Sequence, residues 1–161
     1  RGDRFGVRSR WPRSERRSTF EGLTWYPPDP AWRVVARLER DETPIEIDVP
    51  NVLGTIERRQ SPGRAVFDVD GREYGVRPVH DGPDDPELFF IFRDRTAGKG
   101  TYPAGRFVYA TLRDDDTVVL DFNRAYSPPC AFTPHATCPL PPAGNALDVA
   151  VEAGERYDGA H

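Results

Sequence analysis

The chain has 161 residues, 22 Lys and Arg against 26 Asp and Glu, a formal charge of −4 and 37% hydrophobic residues. At this length a single domain buries about 68–70% of its unfolded surface, and nine Phe, six Tyr and three Trp supply large apolar area, which excludes a chain disordered throughout. The acidic balance gives no overall attraction to nucleic acid or anionic lipid, and no apolar run reaches the roughly eighteen residues of a membrane helix; a soluble, cytoplasmic protein binding neither is expected.

Residues 1–31 read as an N-terminal arm and lead-in, residues 32–161 as the β domain, in one domain overall. Arginines at 1, 4, 8, 10, 13, 16 and 17 face only Asp3 and Glu15 in the arm. Without lysine, and with only Phe5 and Trp11 to stack, the arm reads as solvated or partner-covering rather than as a nucleic-acid tail. The corner Trp25-Tyr26-Pro27-Pro28-Asp29-Pro30 reads as ordered and packed by its aromatics.

No stretch sustains a helical apolar period, whereas short alternating runs recur between turn signals. Nine strands are predicted: Trp32 to Glu39, Ile45 to Val49, Gly54 to Arg59, Ala65 to Val69, Glu73 to Val79, Leu88 to Phe92, Arg106 to Leu112, Thr117 to Phe122 and Leu147 to Glu152. The spacing predicts an all-β, mostly antiparallel domain, barrel or sandwich, with barrel favoured. Asp70-Gly71 between alternating runs predicts a type I′ hairpin, and Arg113 to Asp116 a second one joining Phe107-Val108-Tyr109 to Val118-Val119-Leu120. Ser61-Pro62-Gly63 and Gly82 to Pro86 read as breakers. The carboxylate runs Asp84-Asp85 and Asp114 to Asp116 read as solvated turns, and His80 and His161 as surface and terminal residues.

Residues 121 to 142 hold both cysteines, Cys130 and Cys138, together with His135 and six of the 17 prolines. Proline lacks a backbone donor and fixes φ near −65°, so no helix or regular strand runs through this segment; it is expected to be an ordered arm packed on one end of the domain. Cys130, His135 and Cys138 have soft-metal ligand types, but no second paired motif accompanies them, and no metal is expected. A disulfide and buried free thiols remain open, the latter favoured.

A polar constellation is the stronger candidate site. If the second hairpin forms, Arg106 at the start of one strand meets Asp121, Asn123 and Arg124 at the end of the next. Arg93 and Asp94 lead into the loop Thr96-Ala97-Gly98-Lys99-Gly100-Thr101-Tyr102, whose glycines permit close backbone approach. With Thr101, Tyr102 and Tyr126 these side chains predict a pocket for an anionic or polar small molecule, held by arginine forks. An enzyme, hydrolase or isomerase, would use Asp94 or Asp121 as base in the same pocket, and an interaction module or homo-oligomer would use edge strands and the arginine-rich arm. The same polar network can instead tie the proline-rich arm to the sheet. No phosphate-binding glycine loop or nucleophile elbow is present, and no cofactor is indicated.

The strings Phe92-Arg93-Asp94-Arg95-Thr96-Ala97-Gly98, Thr101-Tyr102 and Gly105-Arg106-Phe107, with Leu120 to Tyr126, Pro128 to Pro134, Ala136 to Pro142 and Glu152 to Glu155, carry a family likeness. Through them the chain resembles a mainly prokaryotic family catalogued as a domain of unknown function. The resemblance implies no activity. It also implies that His135, where relatives carry an aromatic such as Tyr, has no indispensable chemical role.

Overall fold

The computed structural model describes residues 11–80 and 87–159. The arginines at 1, 4, 8 and 10, the expected breaker at Gly82 to Pro86 with Asp84-Asp85, and His161 lie outside the described residues. Six strands form: β1 (Arg33–Pro50), β2 (Ile56–Val69), β3 (Arg72–Val76), β4 (Glu87–Phe92), β5 (Arg106–Thr111) and β6 (Thr117–Asp121). They make a four-stranded sheet ordered β3-β2-β1-β6 and a two-stranded sheet β4-β5, every pair antiparallel. The protein is a mostly antiparallel β domain, as expected. The sheets do not close into one barrel; single bridges join them, Gln60 to His80 and Val79 to Phe89 along one side, Leu112 to Val118 along the other. Among the described residues, no helix is long and apolar enough to cross a membrane.

The Asp70-Gly71 hairpin forms as predicted, with φ of 52° and 76° and Val69 opposite Arg72, the positive angles of a type I′ turn. Elsewhere, four predicted strands merge into two. β1 and β2 run unbroken past Ser61-Pro62-Gly63 because a bulge absorbs the prolines: register jumps between Arg40 opposite Gly63 and Ile45 opposite Ser61. Asp41 to Pro44 thus face Pro62 alone, where a missing donor breaks no ladder. The strands also press close there, since a Cβ on Gly63 would lie 2.2 Å from the Glu39 carbonyl oxygen.

Three further expectations are corrected. The turn Arg113 to Asp116 forms, with Arg113 N–H donating to Thr117 O at 3.0 Å, but β5 and β6 then part to different sheets. Val108 and Ala110 of β5 and Val118 and Leu120 of β6 all enter one core, so the strands diverge to enclose it. Leu147 to Glu152 forms no strand. It bends at Asp148 and Val149 beside the segment after β4, with Leu147 N–H donating to Arg93 O at 2.7 Å and Arg95 N–H to Val149 O at 3.0 Å, while a buried arginine takes other carbonyls. His80 is buried, not a surface residue.

The main core gathers Ala36, Leu38, Ala65, Phe67 and Val76 of one sheet against Leu88, Phe90, Phe92, Val108 and Ala110 of the other. Phe122 sits at its centre, with Phe92, Phe67 and Trp32 rings at 5.2, 5.6 and 6.2 Å. The opposite face of β4–β5 is covered too: Ile91 and Phe107 pack with Val49, Val79 and Cys138 beneath the proline-rich arm. That arm is pinned to the end of β1 by Leu140 N–H donating to Pro50 O at 2.7 Å.

Candidate functional site

The predicted site residues fall into separate groups. Asp94 and Arg106 meet in a sealed ion pair, 2.7 Å apart with each side chain 1% exposed. The Arg106 fork also donates to the carbonyls of Val151 at 2.9 Å and Ala153, and at 3.4 Å to that of Glu155, while its guanidinium lies 5.4 Å from the Phe92 ring centre. Asp94 Oδ1 accepts from Thr96 N–H at 2.6 Å and from the Thr96 hydroxyl, which contacts Thr101 Oγ1 at 2.7 Å. Asp94, Thr101 and Arg106 therefore fasten the C-terminal segment to the sheet, with the side chains of the ion pair sealed from solvent. Asp94 has no access to a substrate proton.

The glycine-bearing loop is likewise filled from within. Its backbone closes on itself through Lys99 N–H to Thr96 O at 2.8 Å and Gly98 N–H to Thr101 O at 3.0 Å. The space above Gly100 belongs to Tyr26, whose hydroxyl would be 2.7 Å from an added Cβ. Tyr102 turns toward the arm, its hydroxyl 3.3 Å from Cys130 O and 3.7 Å from Cys130 Sγ. Burial pushes its phenol up to about 12, aided by Cys130. Both cysteines are free thiols; Cys138 accepts from Cys130 N–H at 3.2 Å and packs in the second core. Burial pushes the Cys138 thiol up to about 11.

Asn123 is structural at both ends of its amide, accepting from Asp29 N–H at 2.9 Å and donating to Asp29 O at 2.8 Å. It thereby holds the lead-in corner to the sheet. Asp121 caps the short turn Phe122–Arg124 through Oδ1, which accepts from Asn123 N at 3.2 Å and Nδ2 at 3.0 Å. Two residues that the sequence did not single out do similar work. Asn145, 1% exposed, brackets Arg77 with two 2.8 Å bonds and donates to Ile91 O at 2.9 Å, ending β3 early. Glu155 accepts from Ser127 N–H at 3.1 Å.

An open site remains where β5 and β6 separate. A cleft of about 330 Å³ lies between Tyr109, Ala110 and Thr111 of β5 and Val119 and Asp121 of β6, with Arg33, Arg113 and Arg124 among its other walls. Its volume lies at the small end of ligand pockets. Strand register brings Arg33 directly opposite Asp121, and the divergence of β5 from β6 opens the space beside them. Arg37, Arg40, Arg72, Arg77 and Arg95 each hold a carboxylate within 3.1 Å. Among the described residues, Arg33, Arg113 and Arg124 form no such salt bridge, although the Arg113 charge helps hold the Asp115 carboxyl low after its hydrogen bonds from Thr117. Tyr126 is not in the cleft lining; it packs on the second core, paired to Phe107 through reciprocal 2.9 Å backbone bonds. Burial, then its neighbour Tyr109, pushes the Tyr126 phenol up to about 12, so it is a hydrogen-bond donor at neutral pH.

The cleft unites Asp121 and Arg124 of the predicted set and adds Arg33, Glu87, Arg113 and, last, Tyr109. Period-two alternation, which turns Tyr109 outward while Val108 and Ala110 turn inward, was the available signal for the last. Arg93 stands apart, with Arg95 and Lys99 around a more open depression of about 570 Å³. There Arg95 is already paired with Asp148 at 2.6 Å. No group of three potential metal ligands is found among the described residues.

No curated protein matches the chain. A solution NMR structure of an uncharacterized protein of Haloarcula marismortui is similar, with 38% identity and a TM-score of 0.73, covering 90% of this chain and 81% of that one. The model of a family described as protein of unknown function, DUF1684, matches residues 18–156. With nearly the whole β domain inside that match, the chain belongs to this family of unknown function.

Proposed function

We propose that this domain binds a small anionic or polar molecule in the cleft between β5 and β6. The observation that carries the reading is the convergence there of Arg33, Arg113 and Arg124 in a protein whose other sheet arginines mostly hold carboxylates. Guanidinium forks match carboxylate and phosphate oxygens two at a time. Arg33 and Arg124 would grip such a group, and the second oxygen of Asp121, outside its bonds to Asn123, would accept from a ligand hydroxyl or amine. The Asp94–Arg106 pair supports the site from a distance by fixing the start of β5.

Titration calorimetry with phosphate and with acetate tests the reading. Binding is expected, and Arg33→Ala or Arg124→Ala should weaken it about 10- to 100-fold, the scale of one charge-assisted contact. Absence of heat from folded protein across both anions, or affinity in both variants unchanged from the unsubstituted protein, would defeat it.

A further inference from the structure

The cleft does not end at β5. A second cavity of about 250 Å³ is lined by Phe89, Phe107, Tyr109 and Pro139 with Arg59, His80 and Glu87, and the two share Glu87 and Tyr109 as a common wall. The first half sets three arginines against the carboxylates of Asp121 and Glu87, and the second sets three aromatic rings beside Arg59 and His80. We infer that the ligand is a planar aromatic molecule carrying a carboxylate or phosphate, its ring against Tyr109 and its anion among Arg33, Arg113 and Arg124. This inference rests on the proposed anion cleft and specifies its ligand class.

Tyr109 is built for such a contact. Its ring stacks on Phe89 at 4.6 Å and 22°; Phe89 meets Phe107 edge-on at 4.9 Å, and Phe107 meets Tyr126 edge-on at 5.8 Å. This ladder continues the second core outward, so the terminal ring is backed by packed neighbours and loses little freedom when a ligand lands. Yet Tyr109 remains 44% exposed. An aromatic surface held rigid and left open beside cations favours a ligand that is itself flat and charged, because offset stacking adds to area burial while the forks fix the anionic end. A purely aliphatic anion would leave the ring half unused, and a neutral aromatic would leave the guanidinium groups unanswered.

The test compares methyl phosphate with phenyl phosphate, and acetate with benzoate, by calorimetry on the intact chain. Either aromatic member should bind about five- to tenfold more tightly than its aliphatic partner, and the pair showing the gain identifies the anion. Tyr109→Ala should remove the gain of each aromatic member over its aliphatic partner; Tyr109→Phe, which keeps the ring, should retain it. Equal affinities within both pairs would overturn the aromatic half while the anion cleft stands. Binding by none of the four would overturn both. Phenol binding as tightly as phenyl phosphate would also refute the proposal, through its charged half.

Discussion

Replacing Arg106 by methionine keeps an unbranched apolar stem and removes the fork, which makes it the sharpest probe of this architecture. Asp94 would stay 1% exposed without its 2.7 Å partner, and the carbonyls of Val151 and Ala153 would lose their donors. Removing one member of a buried ion pair costs about 3–5 kcal/mol, and each orphaned buried acceptor adds about 1–3 kcal/mol before relaxation. Allowing for non-additivity, a loss of about 4 kcal/mol is expected, a large share of the roughly 5–15 kcal/mol that stabilises a typical domain. For a chain of this length each kcal/mol moves the melting midpoint by about 2–4 °C, so Tm should fall by about 8–16 °C. Equilibrium urea unfolding gives the free energy and differential scanning calorimetry the midpoint. The double variant Arg106→Met, Asp94→Leu should recover part of the loss, because the uncompensated carboxylate is gone. A single-variant loss under about 1 kcal/mol, or a double variant no better than the single, would refute the assignment of a sealed, structural pair.

Asn145→Ala should cost about 2–3 kcal/mol by freeing the Arg77 amide and two carbonyls, and should speed hydrogen exchange at Arg77; unchanged exchange would contradict the staple. The Arg77 hydrogen bond holds the Asp41 carboxyl below its ordinary 3.8, so its stabilisation is present above that value and lost as pH falls through the lowered folded one. Urea midpoints measured from pH 6 downward should therefore drop less steeply in Asp41→Asn, and identical slopes would dismiss the pair. With its thiol pushed up to about 11, Cys138 is ionised to only about one part in a thousand at pH 8. Ellman's reagent should accordingly titrate at most one thiol quickly in native protein and two after unfolding; two fast thiols in the native state would be inconsistent with the packing.

Features written in adjacent residues were legible. Asp70-Gly71 supplied both positive φ values of its turn, and the short apolar runs Leu88 to Phe92 and Arg106 to Leu112 marked β4 and β5. What failed depended on distant partners. Ser61-Pro62-Gly63 looks like a break until Asp41 to Pro44 is set opposite it, where one bulge disposes of both prolines. Leu147 to Glu152 alternates like a strand, but no ladder receives it, and carbonyls farther along the same segment meet a guanidinium instead. The same division governs the site. Its residue types were readable, yet sequence does not reveal that Asp94 closes on Arg106, which seals that half. Nor does it reveal that Arg33, about ninety residues before Asp121 in the chain, arrives beside it through β1.

The acceptors of Arg106 lie 45, 47 and 49 residues downstream of it. On a ribosome adding about 5–20 residues per second, that arginine waits some seconds for its partners, and until Val151 to Glu155 emerges both sheets can be synthesised but not locked. Completion of the domain is thereby tied to one late event, with long-range contacts that slow folding. A nascent chain stopped short of residue 151 should remain open to proteases in both sheets, and one extended past residue 155 should become resistant in both together.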